Sequence, residues 1–186
     1  MPGKLIVFEG IDGCGKSTHA ELLTEFLKEH GKEVLHTAEP SHGQIGKLLR
    51  EYLRQDAPPL VDTMLFIADR AEHVEQEIKP ALEQGKTVIC ERYTYSTIAY
   101  QAAQGLDMEW LKSLNSFAPK PDIVILLDVP PEVGAGRTTT EEKFENTEFL
   151  TKVRGNYLKL AEESGFKIID ASREVDLVQD EIRNLV

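Results

Sequence analysis

Residues 5–18 read LIVFEGIDGCGKST, and this stretch decides the fold. Its first part, LIVFE (5–9), is a nearly unbroken apolar run, as in a strand buried on both faces. The next eight residues, GIDGCGKS (10–17), fit the phosphate-loop spacing of Gly, four residues, then Gly-Lys and Ser or Thr. Gly10, Gly13 and Gly15 let the backbone turn with its N–H groups facing an anion. Lys16 brings one ammonium to that anion, and Ser17 a hydroxyl suited to a divalent cation. A helical segment from about Lys16 to His30 follows and aims its positive end at the same spot. The whole segment, Gly10, Ile11, Asp12, Gly13, Cys14, Gly15, Lys16, Ser17 and Thr18, is a candidate triphosphate site.

Outward from this loop, apolar runs alternate with helical patterns. EVLHT (33–37), TVICE (87–91), DIVILLD (122–128) and FKIID (166–170) read as further strands. The expected architecture is a three-layer α/β fold, a five-stranded parallel sheet flanked by helices. No linker or repeat divides the chain, so residues 1–186 are expected to form one domain. Ligands in such sheets gather at the carboxyl ends of strands, which here carry Glu9, Glu91 and Asp128. A helix beginning near Pro59 carries Leu60, Met64, Ile67, Ala71, Val74 and Ile78 at three- and four-residue steps, a core stripe. Pro80 is expected to break or kink it, Gly85 to end it, and His73 to lie on its surface. Another helix runs from about Tyr95 to Gln104.

The chain has 21 Lys and Arg against 32 Asp and Glu, a formal charge of −11. That balance argues against a general nucleic-acid binder, which carries a basic field. No apolar run is long enough to cross a bilayer, and MPGKLIVFEG lacks the features of a signal peptide. Cys14 and Cys90 give neither zinc spacing nor a disulfide framework, so both are read as reduced thiols in the cytoplasm.

A GTPase switch would need an Asn-Lys-x-Asp segment and a downstream Asp-x-x-Gly, and neither occurs. A kinase needs a second site for its phosphate acceptor. Phe66 and Arg70 are four apart on one helix and share a face, where a ring can stack on a base and a guanidinium bond its edge. Thr97 and Gln101 are likewise four apart and offer a hydroxyl and an amide. Core packing for Phe66 and a solvated helix face for Thr97 and Gln101 remain the plain alternatives.

FEGIDGCGKST (8–18), AEP with downstream Arg50, MLFIADR (64–70), ERYTYSTIAYQ (91–101) and LLDVPPEVGAGR (126–137) leading into KFEN together resemble the thymidylate kinases, within the nucleoside-monophosphate kinase group. The resemblance spans nearly the whole chain. It implies transfer of phosphate from ATP, with Mg²⁺, to dTMP, by a homodimer. A broader pyrimidine or deoxynucleotide kinase, and a nucleotide-binding regulator without turnover, are the competing readings. By resemblance, Phe66 stacks on thymine while Arg70, Thr97 and Gln101 bond its edge. Arg50 and Arg92 hold the 5′-phosphate of dTMP, Asp12 and Glu39 lie near the sugar and the metal, and Tyr100 packs where a ribose 2′-hydroxyl would go. Arg137 opens a short lid (137–145) and lies against adenine. Lys16, Arg92 and Asp12 are the implied catalytic residues, and Ser17 with Glu91 (through water) the metal site.

The chain departs from the family at three places. Ala38 stands where Arg usually precedes Glu-Pro, and Glu91 where Asp is usual. The family also places a catalytic arginine in the phosphate loop or the lid. Here the loop slot is Gly13 and the lid, RTTTEEKFE, offers only Arg137 and Lys143. Lys143 is the expected substitute, with a solvated lysine beside Glu141 and Glu142 as the alternative.

Overall fold

In a computed structural model, which describes residues 3–55, 57–137 and 146–186, the apolar runs form five strands. They are β1 (Lys4–Glu9), β2 (Val34–Ala38), β3 (Thr87–Glu91), β4 (Ile123–Asp128) and β5 (Lys167–Asp170). All are parallel, in the order β2-β3-β1-β4-β5. The registers align Ala38 with Glu91, Phe8 with Glu91, and Glu9 with Leu126. The strand ends therefore share one edge of the sheet, with β1 and the phosphate loop at its middle.

Nine α-helices lie among the described residues: α1 (Lys16–Glu29), α2 (Gln44–Leu53), α3 (Pro59–His73), α4 (Lys79–Glu83), α5 (Thr94–Ala103), α6 (Met108–Leu114), α7 (Pro131–Arg137), α8 (Thr147–Ser164) and α9 (Val175–Arg183). The strands are covered on both faces. Ile6, Phe8 and Ile89 join a core with Leu23 of α1, Ile98 of α5, Leu160 of α8 and Val178 of α9. The alternating residues Leu5, Val7, Val88 and Cys90 pack instead on Val74, Ile78 and Ala81. This is why the central runs are apolar at every position. Truncating a side chain such as Phe8, fully buried here, costs about 3–5 kcal/mol. β5 is different, because it is an edge strand and Ile168 is half exposed.

Three expectations about the α3 segment are corrected. Only the far end of the apolar stripe is core: Val74 and Ile78 are fully buried, but Leu60 and Met64 are 50 and 42 % exposed. The reason is that α3 packs mainly on α2 and α5 rather than on the sheet. Its buried residues are polar instead: Asp62, Thr63, Asp69, Arg70 and His73. His73 is accordingly not a surface residue. It is buried, with Nε2 against Thr37 Oγ1 at 2.7 Å and Nδ1 against Glu39 Oε1 at 3.2 Å. Of the break or kink expected at Pro80, the break does not occur: the regular α pattern stops at His73 but the chain stays helical. A π-helical turn at Val74–Ile78 carries the chain into α4, whose first turn holds the proline where its missing N–H is tolerated.

Candidate active site

The phosphate loop is built on backbone that only glycine fits. Gly13 has φ +75°, and a Cβ there would lie 2.1 Å from the carbonyl oxygen of Gly134 in α7. Gly10 has φ +142°, and a Cβ there would lie 2.6 Å from the carbonyl oxygen of Leu127. α1 then starts at Lys16 with no side-chain cap, so the N–H groups of its first turn are available to an anion. Lys16 Nζ lies across the loop, donating to the carbonyls of Gly10 (3.1 Å) and Ile11 (2.9 Å). Ile11 and Cys14 point down into the core. The cleft above the loop, about 480 Å³, is lined by Asp12, Gly13, Gly15, Lys16, Ser17, Thr18, Ala38, Glu39, Glu91, Arg92 and Arg137. Arg137 donates to Ala171 O at 3.2 Å, and Lys143 lies outside the described residues.

At the floor of this cleft Ser17 Oγ donates to Glu91 Oε2 at 2.6 Å, and His36 Nε2 meets Glu91 Oε1 at 2.9 Å. Burial alone would raise the Glu91 pKa. The bonds from His36 and Ser17 and the nearby Lys16 charge outweigh it and hold the carboxyl below its usual range. Among the described residues no group of three His, Cys, Asp or Glu could hold a metal by itself. A hydroxyl with one or two carboxylates, completed by phosphate oxygens, suits Mg²⁺, which is rarely held by protein alone.

Arg92 joins this cleft to a second one. It follows β3 with φ 62°, a left-handed conformation that costs a non-glycine residue roughly 1–2 kcal/mol. Its N–H donates to Phe8 O at 2.9 Å, which fixes the turn. Its guanidinium is paired with Asp12, and Nη1 donates to Gly10 O (3.3 Å) and Ser96 Oγ (3.2 Å). Tyr100 Oη donates to the other Asp12 oxygen at 2.8 Å. Burial works against ionising Asp12, but Arg92, Lys16 and Tyr100 hold its pKa down at about 2. The second pocket is lined by Asp12, Pro40, Leu53, Phe66, Arg92, Ser96, Tyr100 and Gln101. Asp12 and Arg92 thus line both.

The second pocket has a rigid polar backing. Arg70 is fully buried and donates from Nη2 to Glu39 Oε2 (2.6 Å), Tyr93 O (2.9 Å) and Thr97 Oγ1 (3.0 Å), and from Nη1 to Asn115. Arg70 and Thr97 are therefore bonded to each other and do not line the pocket, although Arg70 Nε has no partner. Gln101 does line it. Its side chain is buried, Nε2 donates to Gln104 Oε1 at 3.2 Å, and Oε1 has no partner. Arg50 lies at the rim, donating to the carbonyls of Pro40 (2.5 Å) and Ser41 (2.8 Å).

Four residues of this framework carry no sequence signal of their own. Glu9, legible only as a polar strand end, is fully buried. Its carboxylate accepts from Tyr93 N (3.0 Å), Ser96 N (3.2 Å), Ser96 Oγ (2.5 Å) and Tyr157 Oη (3.0 Å). Burial raises its pKa despite these bonds. It thereby ties the start of α5, and with it Arg92, to the end of β1. Ser96, Tyr157 and Asn115 have meaning only as partners of Glu9 and Arg70.

Comparison with known proteins agrees with this geometry. The sequence model of the family described as thymidylate kinase matches residues 8–182. A probable thymidylate kinase of Pyrococcus abyssi is 46% identical over 200 aligned positions, covering 100% of this chain and 97% of its own. One from Thermococcus kodakarensis is 47% identical, covering 97 and 96%. A thymidylate kinase of Desulfotalea psychrophila is 41% identical, covering 97 and 93%. With the family match running almost end to end and the phosphate loop folded as its sequence requires, the chain belongs to the thymidylate kinase family.

Proposed function

We propose that the chain transfers the γ-phosphoryl group of ATP to the 5′-phosphate of dTMP, giving ADP and dTDP. The observation that carries this reading is the shared wall. Asp12 and Arg92 line both the phosphate-loop cleft and the pocket containing Phe66, Tyr100 and Gln101. A donor phosphate in one and an acceptor phosphate in the other would meet at Arg92. The pocket also suits the base. Phe66 offers a ring face, and Gln101 Oε1 a buried acceptor lacking a donor. The N3–H of thymine supplies that donor, whereas cytosine presents a lone pair there.

The acceptor oxygen of a phosphate is already anionic, so no general base is required, and catalysis rests on positioning and charge. Lys16 and the first-turn N–H groups of α1 would hold the β- and γ-phosphates. Arg92, held by Asp12 and Ser96, would sit between donor and acceptor. Arg50 would join it on the dTMP phosphate, releasing the Pro40 and Ser41 carbonyls. Arg70, which lies behind the pocket wall fixed by Glu39 and Asn115, would reach the base edge only through Nε and only once dTMP binding opens the wall, with Thr97 orienting it. Glu39 and Asp12 flank the sugar, and Tyr100 packs beside it where a 2′-hydroxyl would intrude. Arg137 is assigned to adenine. Ser17, and Glu91 through water, would hold Mg²⁺, which neutralises charge on the phosphate oxygens when bound.

A second copy of the chain is the proposed partner. Leu48, Leu60, Val61 and Met64 expose apolar side chains on the packed pair α2 and α3, which supports this reading, since clustered apolar surface is the usual material of an interface. Light scattering is expected to give a dimer that Met64→Lys with Leu60→Asp converts to monomer. No helix among the described residues is long and apolar enough to cross a membrane, and two buried free thiols suit the cytoplasm. The main test is incubation with ATP, Mg²⁺ and a panel of nucleoside monophosphates. Formation of dTDP with no diphosphate from dCMP is expected. Absence of any diphosphate would replace the kinase reading by a nucleotide-binding regulator, and equal use of all pyrimidines by a broader kinase.

A further inference from the structure

One side chain that stands behind the lining of the phosphate-loop cleft, against Glu91, belongs neither to the motif nor to the roles assigned above. His36 lies in β2, and β2 pairs with β3 so that His36 stands beside Ile89 and Ala38 beside Glu91. Residues two apart on a strand share a face, so the imidazole reaches diagonally across to the Glu91 carboxylate. The contact is 2.9 Å from Nε2 to Oε1, while Oε2 accepts from Ser17 at 2.6 Å. The two oxygens are thus held from opposite sides, one by β2 and one by the first turn of α1.

Geometry explains why such a tether is useful here. Glu91 has one more methylene than an aspartate, hence one more torsion to fix. A carboxylate held by Ser17 alone would swing about its last torsion, and a water-mediated cation site would be ordered only on binding. Bonds to the far oxygen of a carboxylate ligand remove that freedom beforehand.

We propose that His36 is a positioning residue for the Mg²⁺ site, holding Glu91 Oε1 so that Oε2 stays with the Ser17 hydroxyl. This rests on the ATP-dependent reading above. His36 touches no substrate. Its effect is confined to the metal-dependent part of nucleotide affinity. The dependence on His36 arises from the length of Glu91 and disappears when Glu91 is shortened.

The test uses the full chain without dTMP. ADP affinity is measured by calorimetry with Mg²⁺ and again with EDTA, for wild type, His36→Asn, His36→Gln, Glu91→Asp and His36→Asn with Glu91→Asp. A glutamine amide reaches the position of Nε2, whereas an asparagine amide falls short. The expected result is that His36→Asn weakens ADP binding about tenfold in Mg²⁺ and not in EDTA, in line with other outer partners of metal ligands. His36→Gln restores most of the loss. In the Glu91→Asp background His36→Asn changes affinity less than about twofold, so the two changes are not additive. A thermal melt of each variant accompanies the titrations, and the Asn–Gln contrast does not depend on an apolar replacement folding. Equal losses in Mg²⁺ and EDTA would overturn the proposal by showing a structural role. So would an unchanged affinity in His36→Asn, or the same loss in both backgrounds. A wild-type chain whose ADP affinity ignores Mg²⁺ would instead overturn the cation site itself, a separable outcome.

Discussion

Gln101 allows the base reading to be tested by two effects of opposite sign. Among the described residues its Oε1, fully buried, has no partner, and its one side-chain bond runs from Nε2 to Gln104 Oε1 at 3.2 Å. Gln101→Met keeps the length and removes both polar atoms. A buried unsatisfied acceptor costs about 1–3 kcal/mol, and the lost bond is worth about 0.5–1.5 kcal/mol. The balance is about 1 kcal/mol in favour of the empty mutant, or roughly 2–4 °C in Tm for a chain of this size. When dTMP binds, the wild-type acceptor receives the N3–H and its cost vanishes. In the mutant that N–H is buried unpaired, at about 2 kcal/mol, and the relief of the wild-type acceptor, about another 2 kcal/mol, is missing, so Kd rises roughly a thousandfold. ADP affinity stays unchanged, because Gln101 does not line the phosphate-loop cleft. Scanning calorimetry of the empty protein and titration with dTMP read the two effects. A mutant that melts lower and binds dTMP as before would refute the reasoning and make Gln101 a packing residue.

Lys16→Ala is expected to leave the far-ultraviolet spectrum intact and abolish phosphoryl transfer, checked by coupled ADP release, since among the described residues Nζ bonds to loop atoms alone. Phe66→Ala is expected to raise KM for dTMP about tenfold or more with little change for ATP, because base–aromatic stacking is worth about 1–3 kcal/mol. For Asp12 the sign follows from its depressed pKa. The stabilisation it gives is complete above its ordinary value of 3.8 and is lost as pH falls toward about 2. The Tm difference between wild type and Asp12→Asn should therefore stay constant at neutral and mildly acid pH and shrink only on strong acidification.

The sheet was legible because its strands are buried on both faces, so LIVFE and TVICE announce themselves without context. The phosphate loop was legible because its backbone admits only glycine at fixed spacing. α3 was half misread for a physical reason. Apolar spacing identifies a helix face but not what that face meets, and here Leu60 and Met64 face outward while Asp69, Arg70 and His73 face in. Phe66 and Gln101, singled out by four-residue steps on two helices, line one pocket, the acceptor site proposed above. Arg70 and Thr97, singled out by the same logic, turn to each other. Asn115 and Tyr157 could not be found from the sequence, and Glu9 only as a polar strand end, because their partners lie 84 to 148 positions away or depend on how α3, α5, α6 and α8 pack.

The close approach of Gly13 to Gly134 bears on enzyme engineering. Relatives that carry a catalytic arginine in the phosphate loop would tempt a designer to graft one here by a single substitution. The slot is closed from two directions. Its φ of +75° strains any side chain, and the backbone of α7 fills the space where the first carbon would go, with Gly134 likewise 2.6 Å from Asp12 O if given a Cβ. The loop and α7 thus fit backbone against backbone, like two machined faces with no gasket between them. An arginine at position 13 would have to displace α7. A transplant succeeds only if residues 131–137 are exchanged together with the loop.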